Sequence, residues 1–377
     1  MTNSLKYYLF FLGFFFLLAC NSDDEIAKGG DSSNEDNDLI ELTDIAYNPQ
    51  PYNLIVPKGF SEMEIPVDNP LTIDGVNLGR HLFYDPILSG DSTMSCSTCH
   101  LPEMSFTDGK PVSEGIDGLT GKRSSMSLLN VGFYYTGLFW DGRSTTLEEQ
   151  ALLPVEDPIE LHNTWPNIID KLKVHSTYPV MFRKAFGIEG INDISKEMAA
   201  KAIAQFERIM VSSGESRYDI VNRPTPGEFF TEQESDGEKL FFDETDNHPG
   251  CSHCHKGALI TTNEYKNNGF QPAADYEDYE DKGRGLVTGN LSDNGKFRVP
   301  TLRNIEHSAP YMHNGSFNTL EEVIDHYAVG GFQAIGTDTD IKPFTLTIEE
   351  KDALIAYIKT FSDEGFMNNP DLANPFE

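Results

Sequence analysis

Apolar residues along this chain recur at three- and four-residue intervals far more often than they alternate, a pattern that predicts helices joined by long polar connections. From Ile194 to Met210 the residues Ile194, Met198, Ala202, Ile203, Phe206 and Met210 fall on one face, as a core helix requires. Other helix starts pair a threonine with a glutamate three positions later, which satisfies orphan amides at a helix N-terminus: Thr145/Glu148, Thr231/Glu234, Thr319/Glu322 and Thr347/Glu350. Strand patterning is sparse. Val299-Pro300 and the Gly- and Asn-rich stretches near 263–295 read as loops, and Arg223-Pro224-Thr225-Pro226-Gly227 breaks any helix that reaches it. The expectation is a mostly α-helical chain with an N-terminal domain over 46–225, a C-terminal domain over 226–365 and a tail over 366–377.

The first residues follow different rules. Lys6 precedes an apolar run from Tyr7 to Leu18, short for a membrane span, that ends at Leu17-Leu18-Ala19-Cys20. This reads as a signal peptide over 1–19 whose ending resembles a bacterial lipobox, which implies cleavage before Cys20 and lipidation of its thiol. The alternative is cleavage elsewhere, with Cys20 discarded. Residues 20–45 are rich in Asp, Glu, Ser, Asn and Gly and read as an acidic, flexible tether. The protein is therefore expected to be exported and lipid-anchored at the cell envelope, as a periplasmic or outer-membrane lipoprotein that meets the membrane only through its anchor.

The formal net charge of −32 argues against nucleic acid or anionic lipid as a partner. A basic protein or a neutral small molecule fits better, although a solvated acidic surface gives the same balance.

Four of the five cysteines lie in two Cys-x-x-Cys-His motifs, Cys96-Ser97-Thr98-Cys99-His100 and Cys251-Ser252-His253-Cys254-His255. At this spacing two thiols can form thioethers to one porphyrin edge while the adjacent histidine ligates the iron, so the motifs imply two covalently bound haem c groups. A zinc half-site or redox dithiol is the alternative for either motif taken singly. The chain also repeats itself. Gly79-Arg80-His81-Leu82-Phe83-Tyr84-Asp85 precedes the first motif, and Gly237-Glu238-Lys239-Leu240-Phe241-Phe242-Asp243 precedes the second. The expected fold is thus two internally duplicated, c-type cytochrome-like haem domains.

Over residues 70–360 the chain resembles the bacterial dihaem cytochrome c peroxidase and MauG family. The resemblance rests on Leu78-Gly79-Arg80, the first haem motif, Phe106-Thr107-Asp108-Gly109, Phe139-Trp140-Asp141-Gly142-Arg143, Pro300-Thr301-Leu302-Arg303-Asn304 and Ala309-Pro310-Tyr311-Met312-His313. It implies that one haem reacts with hydrogen peroxide, that the other relays electrons, and that a calcium ion lies between the domains. In the same register Trp140 matches the family's inter-haem tryptophan, Gln150 a glutamine that orients peroxide, Pro154 a distal-pocket proline and Glu160 the acid/base that moves a proton between peroxide oxygens. From the residues alone, Glu160 is equally an ordinary solvated acid and Trp140 a core aromatic.

Members that need reductive activation carry a distal histidine after the first motif. Here no histidine occurs between His100 and Arg123, so the resemblance implies an open sixth position and activity from the oxidised protein, with Met104 and Met126 as the conceivable donors. At the second haem the family's axial methionine stands seventeen residues beyond a Pro-Tyr proline; counting from Pro310 gives Tyr327, as in MauG, with Met312 and His326 as rivals. A phenolate, being a hard anionic donor, lowers the potential relative to a thioether. The family's calcium ligands map to the Ser308 and Pro310 carbonyls and to an asparagine position that is Ser124 here. His313 matches a family histidine with a structural role. Three functions follow: a peroxidase drawing electrons from a small cytochrome c or cupredoxin, a MauG-like oxidase that acts on a partner protein, and a non-enzymatic electron carrier.

Overall fold

The computed structural model describes residues 41–225 and 227–377. The signal segment, Cys20, most of the expected tether and Pro226 lie outside the described residues. The helices are α1 (Ile73–Tyr84), α2 (Leu147–Glu156), α3 (Trp165–Val174), α4 (Tyr178–Phe186), α5 (Lys196–Arg208), α6 (Arg217–Val221), α7 (Glu232–Phe242), α8 (Gly285–Thr288), α9 (Leu320–Ala328), α10 (Ile348–Lys359) and α11 (Glu364–Met367). Extended pairing among the described residues is limited to isolated bridges and one antiparallel pair, β1 (Tyr265–Lys266) with β2 (Phe297–Arg298), which sets Tyr265 opposite Arg298. The fold is mostly helical, as the hydrophobic periodicity predicts.

Capping boxes open α7, α9 and α10 at Thr231, Thr319 and Thr347, each closed by the expected glutamate. At α2 the expected Thr145/Glu148 pair is displaced by one residue. Thr146 accepts from the Glu149 amide at 3.1 Å, and the Glu149 carboxylate accepts from Thr145. Glu148 is engaged elsewhere: Arg208 donates to its two oxygens at 2.7 and 2.9 Å, and Asn69 at 2.6 Å.

The sequence repeat is a structural repeat. Helix α1 packs on α5, and α7 packs on α10. A Cβ on Gly79 would stand 1.9 Å from the Ala202 carbonyl oxygen and 3.0 Å from Phe206 Cβ; on Gly237 it would stand 2.0 Å from the Ala353 oxygen and 2.8 Å from Tyr357 Cβ. Each crossing therefore needs glycine. Phe83 meets Phe206 edge-on at 5.3 Å, and Phe241 meets Tyr357 at 5.4 Å. A second unit repeats as well. The bridge Leu138–Ser144 leads to Thr146 and α2, and the bridge Tyr311–Phe317 leads to Thr319 and α9. Within these turns Phe139 and Met312 hold matching positive φ values of 62° and 71°.

Phe83, Phe106, Phe206 and Met210 lie in one buried cluster, Leu78, Trp165, Phe182 and Ile203 in another beside it, and Phe241, Leu354, Tyr357 and Phe361 form the core of the C-terminal half. The halves exchange segments. Tyr218 of α6 packs on Phe361 at 5.1 Å, and its neighbour Asp219 pairs with the buried Arg303 at 2.7 and 2.8 Å. In return Phe366 and Leu372 are buried with the N-terminal aromatics, where Tyr84 Oη donates to the Leu372 carbonyl at 2.6 Å. Arg123 joins the halves polarly, donating to Asp141 at 2.6 Å and to both oxygens of Asp281 at 2.7 and 2.8 Å.

Candidate active site

Both cysteine motifs fold as a 3-10 turn, Cys96–Thr98 and Cys251–His253, and at the second the two thiols and the following histidine line one cavity. All four thiols are free, and burial pushes them up, Cys99 and Cys254 to about 11 and Cys251 to about 12. They are thus neutral thiols available for thioether formation. Beyond the first motif the chain folds back through a bridge from Leu101 to Thr107, which delivers the Phe106 carbonyl to His100 Nδ1 at 2.8 Å. At the second motif the Ile260 carbonyl stands 3.4 Å from His255 Nδ1. Burial lowers both imidazoles, His255 to about 4, so they are neutral; with Nδ1–H committed to a carbonyl, Nε2 is left as the ligating nitrogen.

A cavity opens over the second motif. Cys251, Cys254 and His255 line one part of it, Leu320, Ile324 and Ile358 supply apolar wall, and Tyr327, Met312, Trp140 and His313 also face in. A neutral imidazole and two thiols beneath an apolar cavity are what a haem requires. Among the described residues no group of three or more His, Cys, Asp or Glu side chains is close enough to hold a metal ion.

Geometry sets one of the three candidate donors apart. Tyr327 Oη and Met312 Sδ each accept from the Asn268 carboxamide at 3.3 Å. His326 turns away: its Nε2 is 3.1 Å from the Asn268 carbonyl, and its ring lies among Phe270, Phe317 and Phe332. Burial pushes the Tyr327 hydroxyl up to about 12, against the Asn268 hydrogen bond and with the field of Cys254 and Cys251.

The repeat relates this tyrosine to the first site. Counting from the capping threonines, Tyr327 is the eighth residue of α9 and Pro154 the eighth of α2. Proline offers no side-chain donor there. By the same count Gln150 takes the place of Val323 and Trp140 that of His313. Met126, a conceivable donor, directs its sulfur toward Arg298 Nη2 at 3.7 Å and lines the second cavity instead.

Glu160 follows α2 on a loop held from both sides. The amide of Ile116 donates to the Glu160 carbonyl at 3.0 Å, and that of Gly90 to the Leu161 carbonyl at 2.8 Å. A Cβ on Gly115 would stand 2.2 Å from the Ile159 oxygen, and one on Gly90 2.4 Å from the His162 oxygen, so glycine permits both approaches. The Glu160 carboxylate lies close enough to Cys96 and Cys99 to act on both thiols electrostatically. Burial and then Asp157 push it up to about 6, with Arg143 opposing.

Trp140 lies between the motifs. Its Nε1 donates to the Ser124 carbonyl at 3.0 Å, and the next residue, Ser125, contacts His100 Nδ1 at 3.3 Å and donates to the Cys99 carbonyl at 2.6 Å. Ser124 Oγ is spent on the Met312 and His313 carbonyls at 3.2 and 3.4 Å rather than on Ser308 or Pro310. Ser124, Ser308 and Pro310 line the cavity of the second motif together, and no step is derived through calcium. His313 stacks on Phe297 at 3.7 Å and is held neutral by burial, near 4.

Asn268, Ser125 and the buried Glu207 escaped the sequence reading. Asn268 follows another asparagine in a loop without a motif, and Glu207 looks like one more helix-surface acid beside Arg208.

The di-haem cytochrome c peroxidase family model matches residues 74–225. Cytochrome-c peroxidase IdrP1 of Pseudomonas sp. strain SCT is 34% identical over 327 residues, covering 79% of this chain and 83% of the relative. Methylamine utilization protein MauG of Methylorubrum extorquens is 31% identical over 299 residues, covering 79% and 81%. Among solved structures, a MauG-like protein associated with microbial copper homeostasis superposes with a TM-score of 0.79 at 34% identity, covering 86% of this chain and all of that one. The diheme peroxidase BthA of Burkholderia thailandensis shares the fold, with a TM-score of 0.64 at 21% identity over 85% of this chain and 98% of that one.

Proposed function

Because the chain belongs to the dihaem cytochrome c peroxidase and MauG family, we propose that it reduces hydrogen peroxide to water at the Cys96–His100 site, with electrons that enter through the Cys251–His255 site from an external redox protein. Haem, when bound, supplies an iron that accepts peroxide at the first site and an iron that passes electrons at the second. In this reading each cysteine pair holds its haem by thioethers, and His100 and His255 present Nε2 to the irons. Glu160 takes the proton from the inner peroxide oxygen and returns it to the outer one, so that two electrons and two protons convert one peroxide into two waters. Gln150 orients the bound oxidant. Trp140, bonded to Ser124 and facing the second cavity, bridges the two sites for electrons, and Tyr327 is the sixth donor at the second.

The observation that carries the proposal is the exchange of Tyr327 for Pro154 at equivalent helix positions. It supports a first site open to peroxide without prior loss of a ligand. Stopped-flow mixing of oxidised, never-reduced holoprotein with one equivalent of peroxide should change the Soret spectrum at once. A response only after reduction overturns the reading.

Tyr327 also favours a second reading, peroxide-dependent oxidation of a side chain on a partner protein, because an anionic donor retains oxidising equivalents that a thioether would not. Steady oxidation of reduced cytochrome c or cupredoxin by peroxide supports the first function. A covalent change in a co-expressed partner without such turnover supports the second. We further propose export and lipidation at Cys20, testable by mass spectrometry of the mature N-terminus.

A further inference from the structure

The carboxamide of Asn268 touches both donors that face the second haem site. Its Nδ2 donates to Tyr327 Oη and to Met312 Sδ, each at 3.3 Å, and an amide nitrogen carries two hydrogens, so both bonds can exist together. The group is oriented. Asn268 Oδ1 accepts from the Phe270 amide at 3.3 Å, which turns the nitrogen toward the donors, and the Asn268 carbonyl oxygen lies against His326 Nε2 at 3.1 Å. The backbone is held as well: a Cβ on Gly331 would stand 3.1 Å from the Asn268 carbonyl oxygen and 2.9 Å from that of Gly269. Met312 is fixed in turn by its turn conformation, φ 71°.

We propose that Asn268 is a positioning residue that decides which side chain donates to the second iron, holding the Tyr327 oxygen in the cavity with one N–H and occupying the Met312 sulfur with the other. This rests on the reading of Tyr327 as the sixth donor. A thioether sulfur that accepts a hydrogen bond is a poorer ligand, whereas an anionic phenolate oxygen that accepts one keeps further lone pairs for the iron, so the thioether is kept from competing. Without the amide hydrogens Met312 Sδ loses its hydrogen bond, and the softer donor gains access.

The test uses the haem-loaded protein. Asn268→Leu removes both hydrogens, and Asn268→Asp removes them while keeping the shape and the Oδ1 acceptor, so the second variant reads the effect if the first fails to fold. Both should show the near-infrared methionine–iron band in the ferric protein, and Asn268→Leu, which adds no charge, should also raise the midpoint potential at the second haem. The band should vanish when Met312→Leu is added to either. Absence of the band in both variants, or persistence of the band without Met312, overturns the proposal. Tyr327→Phe separates this from the underlying reading. If it leaves the ferric spectrum unchanged, Tyr327 is not the donor; if it alters the spectrum while the Asn268 variants do not, only the role of Asn268 falls.

Discussion

Glu207 and Ile358 occupy the same place in the two halves of the molecule. Each follows the residue that packs on a helix-crossing glycine, Phe206 against Gly79 and Tyr357 against Gly237. Ile358 is apolar wall in the cavity of the second motif. Glu207 is only 5% exposed, its Oε2 has no hydrogen-bond partner, and its field reaches the Cys96 thiol. One scaffold thus carries walls of opposite polarity beside its two haem attachments.

A buried carboxyl of this kind costs stability in a defined pH window. Burial pushes Glu207 from its ordinary 4.5 up to about 8, with Arg208 opposing and Glu148 reinforcing. Below pH 4.5 both folded and unfolded chains hold the proton and there is no penalty. Between 4.5 and 8 the unfolded chain loses the proton first, so stability falls as pH rises, by a few kcal/mol over the window. Denaturant unfolding of the holoprotein at several pH values should show this decline, and Glu207→Gln should remove that component of the slope. An unchanged slope in the variant refutes the assignment.

The glycine crossings predict a steep steric cost. Alanine at Gly79 would place its Cβ 1.9 Å from the Ala202 carbonyl oxygen, which is backbone and cannot rotate aside. Helices α1 and α5 would have to separate, losing the Phe83–Phe206 contact. We expect Gly79→Ala and Gly237→Ala each to destabilise by about 3 kcal/mol or more, read as a shift in denaturation midpoint. Gly118, whose added Cβ would lie no closer than 3.6 Å to the Glu114 carboxylate, has steric room but a φ of +70°; alanine there should show only the smaller backbone cost.

Arg123 ties Asp141 to Asp281 across the halves, with side-chain exposures of 17%, 5% and 14%. Removing it leaves the partly buried Asp281 without its ion pair and Asp141 with Arg143 alone, at 3.3 Å, so Arg123→Met should cost about 3 kcal/mol. Adding Asp281→Asn should recover part of that loss, which a double-mutant cycle measures. Full additivity would show that the charges do not couple.

Much of this was legible in the sequence because it depends on local pattern. Hydroxyl-to-glutamate spacing marks helix starts, and Thr231, Thr319 and Thr347 cap as expected. The shift from Thr145 to Thr146 was not legible, because it follows from the distant Arg208 claiming Glu148. Asn268 was hidden for the same reason. Its importance comes from Met312 and Tyr327, 44 and 59 residues away, meeting at one amide. Equivalence of Pro154 with Tyr327 could not be counted from Thr145, because the cap of α2 is Thr146 in the folded chain. Spacing reports what a segment does with itself; contacts across the repeat arise only in the folded chain.

Glu160 should set the acid limb of the peroxide reaction. To take a proton it must be ionised, and burial with Asp157 pushes it up from 4.5 to about 6. The sign is therefore a loss of kcat/KM as pH falls through about 6, tenfold per unit well below it. Glu160→Gln should slow peroxide reduction by about 10²–10⁴-fold and abolish that inflection. His162, two residues on, paired with Asp117 and more than half exposed, is the control for a change in the loop that does not touch the carboxylate. His162→Gln should keep both rate and inflection. A Glu160→Gln protein that reacts as fast as wild type, or that keeps the inflection, would remove the carboxylate from the mechanism.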